Sequence, residues 1–301
     1  MAISRSQLVK ELEPGLNALF GLEYKNYANE HAEIFSSENS DRAFEEEVML
    51  SGFANAAVKP EGSAVTFDNA QETFTSRYTH ETIALAFAIT EEAIEDNLYD
   101  RIATRYTKAL ARSMANTKQV KAANVLNNAF NTNYLGGDGL ELCSTLHPTI
   151  AGTFSNELAT SADLNETSLE QSLIDIAAFT DERGLKIAAQ GMKLIIPSEL
   201  QFTAERLMKS QGRVGTADND VNAIVSKGMI PQGYVVNNYL TDTDAFFIKT
   251  DVPNGMKMFT RSPLKTAMEG DFDTGNVRYK ARERYSFGWS DPRGIFGSPG
   301  A

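Results

Sequence analysis

The stretch Val277–Phe287, with the sequence VRYKARERYSF, alternates basic and mostly apolar residues. Its even positions from 278 to 284 are all basic, and its odd positions are apolar apart from Glu283. A β-strand sends successive side chains to opposite faces of its sheet, so this pattern predicts a strand with one core face and one cationic face. We expect Tyr279, Ala281 and Tyr285 to face the core. The predicted cationic face consists of Arg278, Lys280, Arg282 and Arg284.

The cationic face has two interpretations on sequence grounds. It is either a solvated strand face or an interface that meets an acidic partner, which would be DNA or the N-terminal segment of a neighbouring copy. Residues 1–50 contain ten acidic and four basic groups, whereas residues 277–301 contain five basic and two acidic groups. The two ends of the chain are therefore complementary in charge. The predicted acidic partners are Glu45, Glu46 and Glu47.

The segments before this strand predict an arm, a hairpin and a helix. Residues 1–47 follow no long helical or strand period, which predicts an extended or loosely helical arm that lies on other surfaces. Residues 48–89 predict a long hairpin, because Lys59-Pro60-Glu61-Gly62 has turn chemistry and Ile83 to Ile89 alternates like a strand. We expect residues 1–89 to be ordered mainly by neighbouring subunits.

Residues 91–130 have the strongest helical pattern. Thr90 is a candidate N-cap, and no Gly or Pro occurs between Thr90 and Gly136. This helix is predicted to turn Ile94, Leu98 and Ile102 towards a sheet and Arg101, Arg105 and Lys108 away from it.

Shorter elements follow the long helix. A capping-box pattern at Thr167 and Glu170 predicts a second helix, and Ser198 begins a third. Further strands are predicted at 193–196, 234–236, 245–248 and 256–259. This uneven mixture of helices and strands indicates an α+β fold.

Composition narrows the classes of function. The chain has 301 residues, 42% of them hydrophobic, and a net charge of −12, so it can build a sizeable core but is a poor general binder of nucleic acid. No apolar run is long enough to cross a membrane. The start lacks the apolar core of a signal peptide and Cys143 has no cysteine partner, so we expect folding in a reducing cytosol.

No motif singles out an active site. Cys143 and His147 are four residues apart, but no second pair of metal ligands accompanies them. The Asn165-Glu166-Thr167 triplet matches a glycosylation pattern and is interpreted as a helix cap instead. Nucleotide-binding, nucleophile-elbow and zinc-protease motifs do not occur. We therefore expect no catalytic residues, no metal, no cofactor and no enzymatic activity.

The order of these segments resembles the major capsid proteins of tailed bacteriophages, particularly the Mu-type major head subunit family. The resemblance covers nearly the whole chain, and its strength lies in the order and spacing of short motifs. These are Glu13-Pro14-Gly15-Leu16, Phe20-Gly21, Tyr24, Glu61-Gly62, Phe67-Asp68, Tyr78-Thr79-His80, Phe87–Glu92, Leu146-His147-Pro148, Phe154-Ser155-Asn156 and the closing run Arg282–Arg293.

The resemblance implies the tailed-phage major capsid fold with four parts. They are an N-terminal arm (1–47), an extended loop or E-loop (48–89), a peripheral domain with a long spine helix (90–155 and 250–287) and an axial domain (156–249 and 288–301). Some relatives crosslink neighbours through a lysine of the extended loop. Lys59 is the only lysine there and is kept as an interface candidate, without a predicted crosslink.

The implied function is a structural subunit that assembles as hexamers and pentamers into an icosahedral head around double-stranded DNA. The implied partners are further copies of the chain, a separate scaffolding protein, a portal and decoration proteins, with no sequence-specific DNA binding and no membrane. Assembly is expected in the host cytoplasm and the product in the virion capsid. The alternatives are an encapsulin-like nanocompartment shell and a soluble acidic enzyme.

Overall fold

The structure, a computed structural model, describes residues 5–90, 92, 99–213, 220–271 and 275–301, and side chains from Pro14 onward except those of residues 99–102. The helices are α1 (Arg5–Asn26), α2 (Glu30–Ile34), α3 (Tyr99–Asn127), α4 (Glu166–Ala177), α5 (Gln201–Lys209) and α6 (Ala223–Lys227). The strands are β1 (Ser36–Asn39), β2 (Phe44–Leu50), β3 (Glu72–Thr79), β4 (Glu81–Ile89), β5 (His147–Thr149), β6 (Gly152–Phe154), β7 (Gly191–Ile196), β8 (Tyr234–Val236), β9 (Phe246–Thr250), β10 (Met256–Gly270), β11 (Val277–Trp289) and β12 (Ile295–Ser298).

The main sheet has the strand order β1-β10-β11-β4, and β11 pairs antiparallel with both β10 and β4. The predicted alternation of β11 is confirmed, because Tyr279, Ala281 and Tyr285 are buried. Helices α1 and α3 pack on the buried face, where Phe20, Met114 and Tyr279 share a core cluster. One face of the sheet is therefore covered by the chain's own helices, and the opposite face carries the basic residues.

The second sheet has the strand order β12-β9-β7-β8. Its buried face packs against α4 in a cluster that includes Leu169, Ile176 and Phe246. Helix α4 begins two residues earlier than predicted. Its N-cap is Asn165, whose side chain accepts the backbone N–H of Ser168 at 2.9 Å. The interpretation of Asn165 as a helix cap is thus confirmed, whereas the predicted capping box at Thr167 is wrong.

The predicted hairpin is rearranged. Strands β2 and β3 form a two-stranded ribbon, whereas β4, which was predicted as the second hairpin strand, joins the main sheet. A turn forms where predicted, with the Ser63 N–H donating to the carbonyl of Pro60 at 3.2 Å. Residues 52–71 between the two ribbon strands adopt no helix or strand and are exposed. We call residues 52–71 the tip.

The prediction that residues 1–89 are ordered mainly by neighbours is wrong for the arm. Leu16 and Phe20 of α1 are buried in the chain's own core, and β1 pairs in parallel with β10. Leu16, Phe20 and Tyr24 are spaced four residues apart, so one face of α1 is apolar and packs against α3. Among the described residues of this range, the tip keeps the expected lack of internal packing.

Helix α3 lies within the predicted long helix. The predicted orientation of Ile94, Leu98, Ile102 and Arg101 lies outside the described side chains. Arg105 is exposed as expected, and Lys108 is half-exposed and pairs with Glu23 of α1 at 2.8 Å. In the part of the chain that the structure describes, no helix has the length and apolar character needed to cross a bilayer.

Candidate assembly surfaces and a buried polar junction

The cationic face lies on the open side of the main sheet. Arg278, Lys280 and Arg282 are exposed and Arg284 is partly buried. Lys265 of β10 is exposed and stands beside Arg282 in the register. Arg278 pairs with Asp271 at 2.5 Å. Among the described side chains, no carboxylate lies within 4.0 Å of the other three exposed cations, so none of the three forms an ion pair with this part of its own subunit.

Strand β4 borders the cationic face with small side chains. Ala84, Ala86 and Ala88 are exposed and stand opposite Arg282, Lys280 and Arg278 in the antiparallel register. Residues directly opposite each other in an antiparallel pair project from the same face of the sheet. The open side of the sheet is therefore flat beside its row of cations, which allows close approach of another chain.

The three predicted acidic partners have contacts within the subunit. Glu45 accepts a hydrogen bond from the Ser40 hydroxyl at 2.6 Å, and Glu46 lies 3.7 Å from Arg77. Glu47 bonds to buried Lys257 and to Ser290. The structure therefore places Glu47 near the C-terminal end of β11, in contact with groups other than the cationic face. Pairing of Glu45 and Glu46 with a neighbour's cations stays a prediction.

The tip exposes apolar residues that have no core of their own. Val58 and Phe67 are each 94% exposed, and Phe53 and Val65 are also exposed. Lys59 is exposed on the same segment. A soluble chain gains free energy by removing such side chains from water, about 25 cal/mol for each Å² of apolar area buried. The tip is therefore a candidate surface for burial against another molecule.

Arg293 is the centre of a buried polar junction. Its guanidinium bonds to Glu182 at 2.7 Å and to the carbonyl of Thr180 at 2.7 Å, and it lies 4.9 Å from the centre of the Phe154 ring. Burial raises the pKa of the nearby Asp291 carboxyl, although Arg293 opposes this shift. Arg293 thus ties the segment after α4 to the C-terminal segment. The sequence placed Arg293 in a family motif without assigning it a role.

His147 belongs to the same region and does not pair with Cys143. Its Nδ1 lies 2.5 Å from Asp138 Oδ2, and its Nε2 lies 3.1 Å from Asn156 Oδ1. Cys143 is buried, and burial raises the pKa of its thiol. Among the described residues, no group of three or more His, Cys, Asp or Glu side chains is arranged to hold a metal ion.

Glu283 joins three elements although it interrupts the apolar face of β11. Its carboxylate is buried, accepts from Lys118 Nζ of α3 at 3.2 Å and from the Tyr24 hydroxyl of α1 at 3.4 Å. Burial raises the pKa of Glu283, and the charge of Lys118 only partly opposes this. The helices α1 and α3 and strand β11 therefore meet at a charged group that the sequence did not identify as buried.

Replacing Glu283 with Gln is expected to flatten the dependence of stability on pH. Because the pKa of Glu283 is raised in the folded chain, its contribution is fully present below the ordinary glutamate pKa and is lost as the pH rises through the raised value. At pH 7 the free energy of unfolding should also fall by about 1–3 kcal/mol, because Lys118, which is largely buried, loses its charged partner. Urea unfolding between pH 5 and pH 8, with the exposed Glu81→Gln as control, measures this, and an unchanged profile for Glu283→Gln would contradict it.

The sequence of this chain matches one known protein family. The family model described as a phage capsid protein matches residues 72–297, which is more than half of the chain. A comparison with curated proteins found no match.

Solved structures share the fold at low sequence identity. The chain superposes on the virus-like particle subunit from Pyrococcus furiosus with a TM-score of 0.52 at 11% identity, covering 94% of this chain and 97% of that chain. It matches the Mycobacterium phage Che8 structure with a TM-score of 0.53 at 17% identity, covering 90% and 92%. It matches the capsid of an empty GTA particle with a TM-score of 0.55 at 16% identity, covering 90% of each chain. With the family match, this architecture means that the chain belongs to the phage capsid protein family.

Proposed function

We propose that this chain is the structural subunit of a phage head, assembling as hexamers and pentamers into an icosahedral shell around double-stranded DNA. The observation that carries the proposal is the tip, whose apolar residues are exposed on a segment without helix or strand. Such a segment gains burial only when it reaches another surface. A shell supplies that surface in every copy, so assembly explains why the chain keeps an apolar extension.

The proposed domains agree with the separation of the two sheets. In our proposal the peripheral domain contains α3, strand β10 and most of strand β11, and the axial domain contains the second sheet with α4. Strands β1 and β4 of the main sheet come from the arm and the extended loop. Strand β9 belongs to the second sheet and the next strand, β10, to the main sheet, which supports a domain boundary near residue 250. Strand β12 pairs with β9, which supports assigning the last residues of the chain to the axial domain. The arm (1–47) and the extended loop (48–89) flank this body.

The wider partners follow from the same role. A shell of this kind assembles in the host cytoplasm with a scaffolding protein, closes at a portal and carries any decoration proteins on its surface. The subunit itself acts by binding other copies of the chain. A net charge of −12 supports enclosure of DNA without sequence-specific binding, because a strongly acidic chain does not accumulate phosphates on its surface.

Electron microscopy of the purified protein, with and without its scaffolding protein, tests the proposed function. Closed particles or capsomers of uniform size are expected. A monodisperse monomer under all assembly conditions, including co-expression with the scaffold, would overturn the proposal.

Replacing residues 54–69 by a short Gly-Ser linker is expected to abolish assembly without unfolding the subunit. The tip is joined to the rest of the chain by few contacts, such as the Ser51 N–H to the Gln71 carbonyl at 2.9 Å and Arg183 to the Asn69 carbonyl at 2.7 Å. Thermal unfolding should shift by only a few degrees, since little apolar surface is lost from the core. Light scattering and microscopy measure assembly.

A matched control separates the tip's length from its apolar surface. The double variant Val58→Ser and Phe67→Ser keeps the length and the turn at Gly62, and we expect it to assemble poorly. The variant Lys59→Ser removes only a charge and should assemble normally. Efficient assembly of the Val58→Ser, Phe67→Ser variant would show that the tip is not buried on a neighbour.

A protein shell that encloses cargo other than DNA is the second candidate. The observation that favours it is the likeness of the fold to the Pyrococcus furiosus virus-like particle subunit over 94% of this chain. The contents of particles recovered from the native source distinguish the two candidates. Nuclease-protected DNA of uniform length supports a phage head, and a single enclosed protein without DNA supports a cargo compartment.

A further inference from the structure

Helix α3 contains a local excess of positive charge in an acidic chain. The residues from Tyr99 to Asn127 include six basic residues and one acidic residue, whereas the whole chain has a net charge of −12. A net charge this negative opposes general affinity for nucleic acid. Salt limits the reach of each charge to about 10 Å at 0.1 M, however, so a patch of one sign acts on a ligand through its own surroundings. The charge of α3 is therefore considered separately from that of the chain.

Three of these basic residues, Arg105, Lys108 and Arg112, lie in a row on the open side of α3, and we call them the helix row. They follow one another at spacings of three and four residues, which aligns them along one face of an α-helix, and all three are exposed. Lys108 pairs with Glu23 of α1 at 2.8 Å. Among the described side chains, no carboxylate lies within 4.0 Å of the guanidinium group of Arg105 or Arg112. The helix row therefore presents two cations that form no ion pair with the described part of the subunit.

The side chains around the helix row are small or polar. Tyr106, Ser113 and Asn116 are exposed and have groups that can donate hydrogen bonds, and the exposed Ala109 leaves space between the two arginines. Arg, Lys, Ser, Asn and Tyr side chains are among those that contact DNA phosphates. The described exposed side chains of residues 105–116 include no large aliphatic group of the kind that forms the apolar centre of a protein interface. This face therefore suits a phosphate backbone better than a second protein.

The helix row faces away from the main sheet and from its cationic face. Ala111 and Met114 of α3 are buried in the same core cluster as Tyr279 of β11, so this side of the helix packs on the sheet. The cationic face lies on the opposite side of that sheet, because the exposed residues of β11 alternate with the buried ones. A partner of the helix row and a partner of the cationic face therefore approach the layer of helices and sheet from opposite directions.

We propose that the helix row binds the phosphate backbone of the enclosed double-stranded DNA, with Arg105 and Arg112 as its main contacts. The choice of DNA as the polyanion rests on the proposed function, in which copies of the subunit surround a space filled with DNA. Contacts to phosphates specify no sequence, so any packaged sequence is accepted. With this contact, the helix side of the main sheet faces the interior of the shell, and the cationic face is left for protein partners.

Binding through the helix row is expected to be weak and sensitive to salt. Each phosphate that a cation neutralises releases condensed counterions, which gives a slope of about −0.9 in log affinity against log salt concentration. Two arginines in each subunit therefore contribute a slope of about −2. A packaged genome has to move past the wall of the shell as it enters, so a weak contact repeated in many copies holds DNA near the wall without fixing it in place.

Fluorescence anisotropy of a short labelled DNA duplex, titrated with the unassembled subunit, tests the contact without any shell. For Arg105→Gln, Arg112→Gln we expect an affinity at least about tenfold below wild type at low salt, and a salt slope closer to zero by about 2. The variant Lys186→Gln, Lys227→Gln removes the same charge from exposed positions elsewhere and should bind like wild type. No measurable binding by wild type, an unchanged affinity of Arg105→Gln, Arg112→Gln, or a loss confined to variants of the cationic face would each overturn the proposal.

Chemical modification of wild-type particles locates the DNA relative to the helix row. Unassembled subunits, emptied heads and DNA-filled heads are treated with phenylglyoxal, which reacts with exposed arginines, and mass spectrometry measures the modification of Arg105 and Arg112. We expect both arginines to react in the first two samples and to be protected in DNA-filled heads.

Two results of the modification experiment would contradict the contact with DNA. Equal reaction in emptied and filled heads would show that DNA does not cover the helix row, and protection in both would assign the row to an acidic protein partner. The experiment uses wild type, so it decides even if a variant does not fold. The duplex measurement needs no particle, so a failure of the subunit to assemble would count against the proposed function and not against DNA binding by the helix row.

Discussion

Replacing Arg293 with methionine is expected to lower the free energy of unfolding by about 3–5 kcal/mol. Methionine preserves much of the apolar stem and removes the guanidinium. The Glu182 carboxylate, which is buried, then loses its charged partner, and its second oxygen already has no hydrogen-bond partner among the described residues. An unpaired buried charge is far less favourable than a buried pair, so the effect exceeds that of losing an ordinary hydrogen bond.

A double variant separates the two sources of this loss. With Glu182→Leu added to Arg293→Met, the unpaired carboxylate is gone, and most of the stability should return because an apolar pair can replace a buried ion pair. The exposed helical Arg206→Met is the control and should change stability by less than about 0.5 kcal/mol. Urea unfolding followed by the fluorescence of Trp289, which lies beside this junction, measures all three. A loss below about 1 kcal/mol for Arg293→Met would contradict the argument.

Strand β11 was predictable from Val277 to Tyr285 because one rule governs this part of the strand. One face is buried and the other open, so a two-residue period in the sequence becomes a two-residue period in burial. Glu283 is a charged residue at a position where the pattern calls for an apolar one, but its side chain is buried as the two-residue period requires. It is buried because Lys118 and Tyr24, which lie 165 and 259 positions away in the chain, converge on it. No local pattern contains that information.

Helix α1 was missed for a different reason. Its sequence contains Pro14, Gly15 and Gly21, which disfavour a helix by their intrinsic preferences. Tertiary contacts override these preferences, because Leu16 and Phe20 fill the space between α3 and the main sheet. The repeat of apolar residues at four-residue intervals, Leu16, Phe20 and Tyr24, was the available signal. Its shortness made it weak beside the Pro and Gly residues.

The contacts of the polar junction around Arg293 could not be predicted from short motifs. His147, Asn156 and Arg293 were each noticed within short family motifs, but their partners Asp138, Leu142 and Glu182 were not. A motif marks positions that matter, whereas the contacts depend on how loops between sheets meet in space. Arg293 and Glu182, for example, are separated by 111 positions. The cationic face needed only a strand, and so its residues could be named from the sequence.

Reversing charge on the cationic face is expected to prevent assembly while leaving the subunit folded. The double variant Lys280→Glu and Arg282→Glu changes two exposed residues without carboxylate partners among the described side chains, so thermal unfolding should be almost unchanged. An exposed ion pair contributes only about 0–1 kcal/mol. When such pairs are repeated around a shell and partly removed from water, their small contributions sum to a larger free energy of assembly. We expect at least a tenfold loss of assembled particles, equivalent to about 1.4 kcal/mol per contact that limits assembly.

A charge-matched control and a salt series decide between an interface and a solvated face. The control variant Lys186→Glu and Lys227→Glu alters the net charge equally on the second-sheet side of the chain and should assemble normally. If the cationic face binds carboxylates of a neighbour, wild-type assembly should weaken as salt is raised, because screening shortens the range of the attraction. Normal assembly of Lys280→Glu, Arg282→Glu across the whole series would show that the face is merely solvated.

A rescue experiment identifies the partner of the cationic face. Adding Glu45→Lys and Glu46→Lys to the reversed face should restore part of the assembly if these residues of a neighbour meet it. Glu47 is left unchanged because it pairs with buried Lys257, and removing this pair would break a contact between the ribbon and the main sheet. Failure of the rescue, combined with failure of the face variant to assemble, would assign the cations to another acidic surface. The acidic tip residues Glu61 and Asp68 are the next to exchange, since both are exposed on the tip.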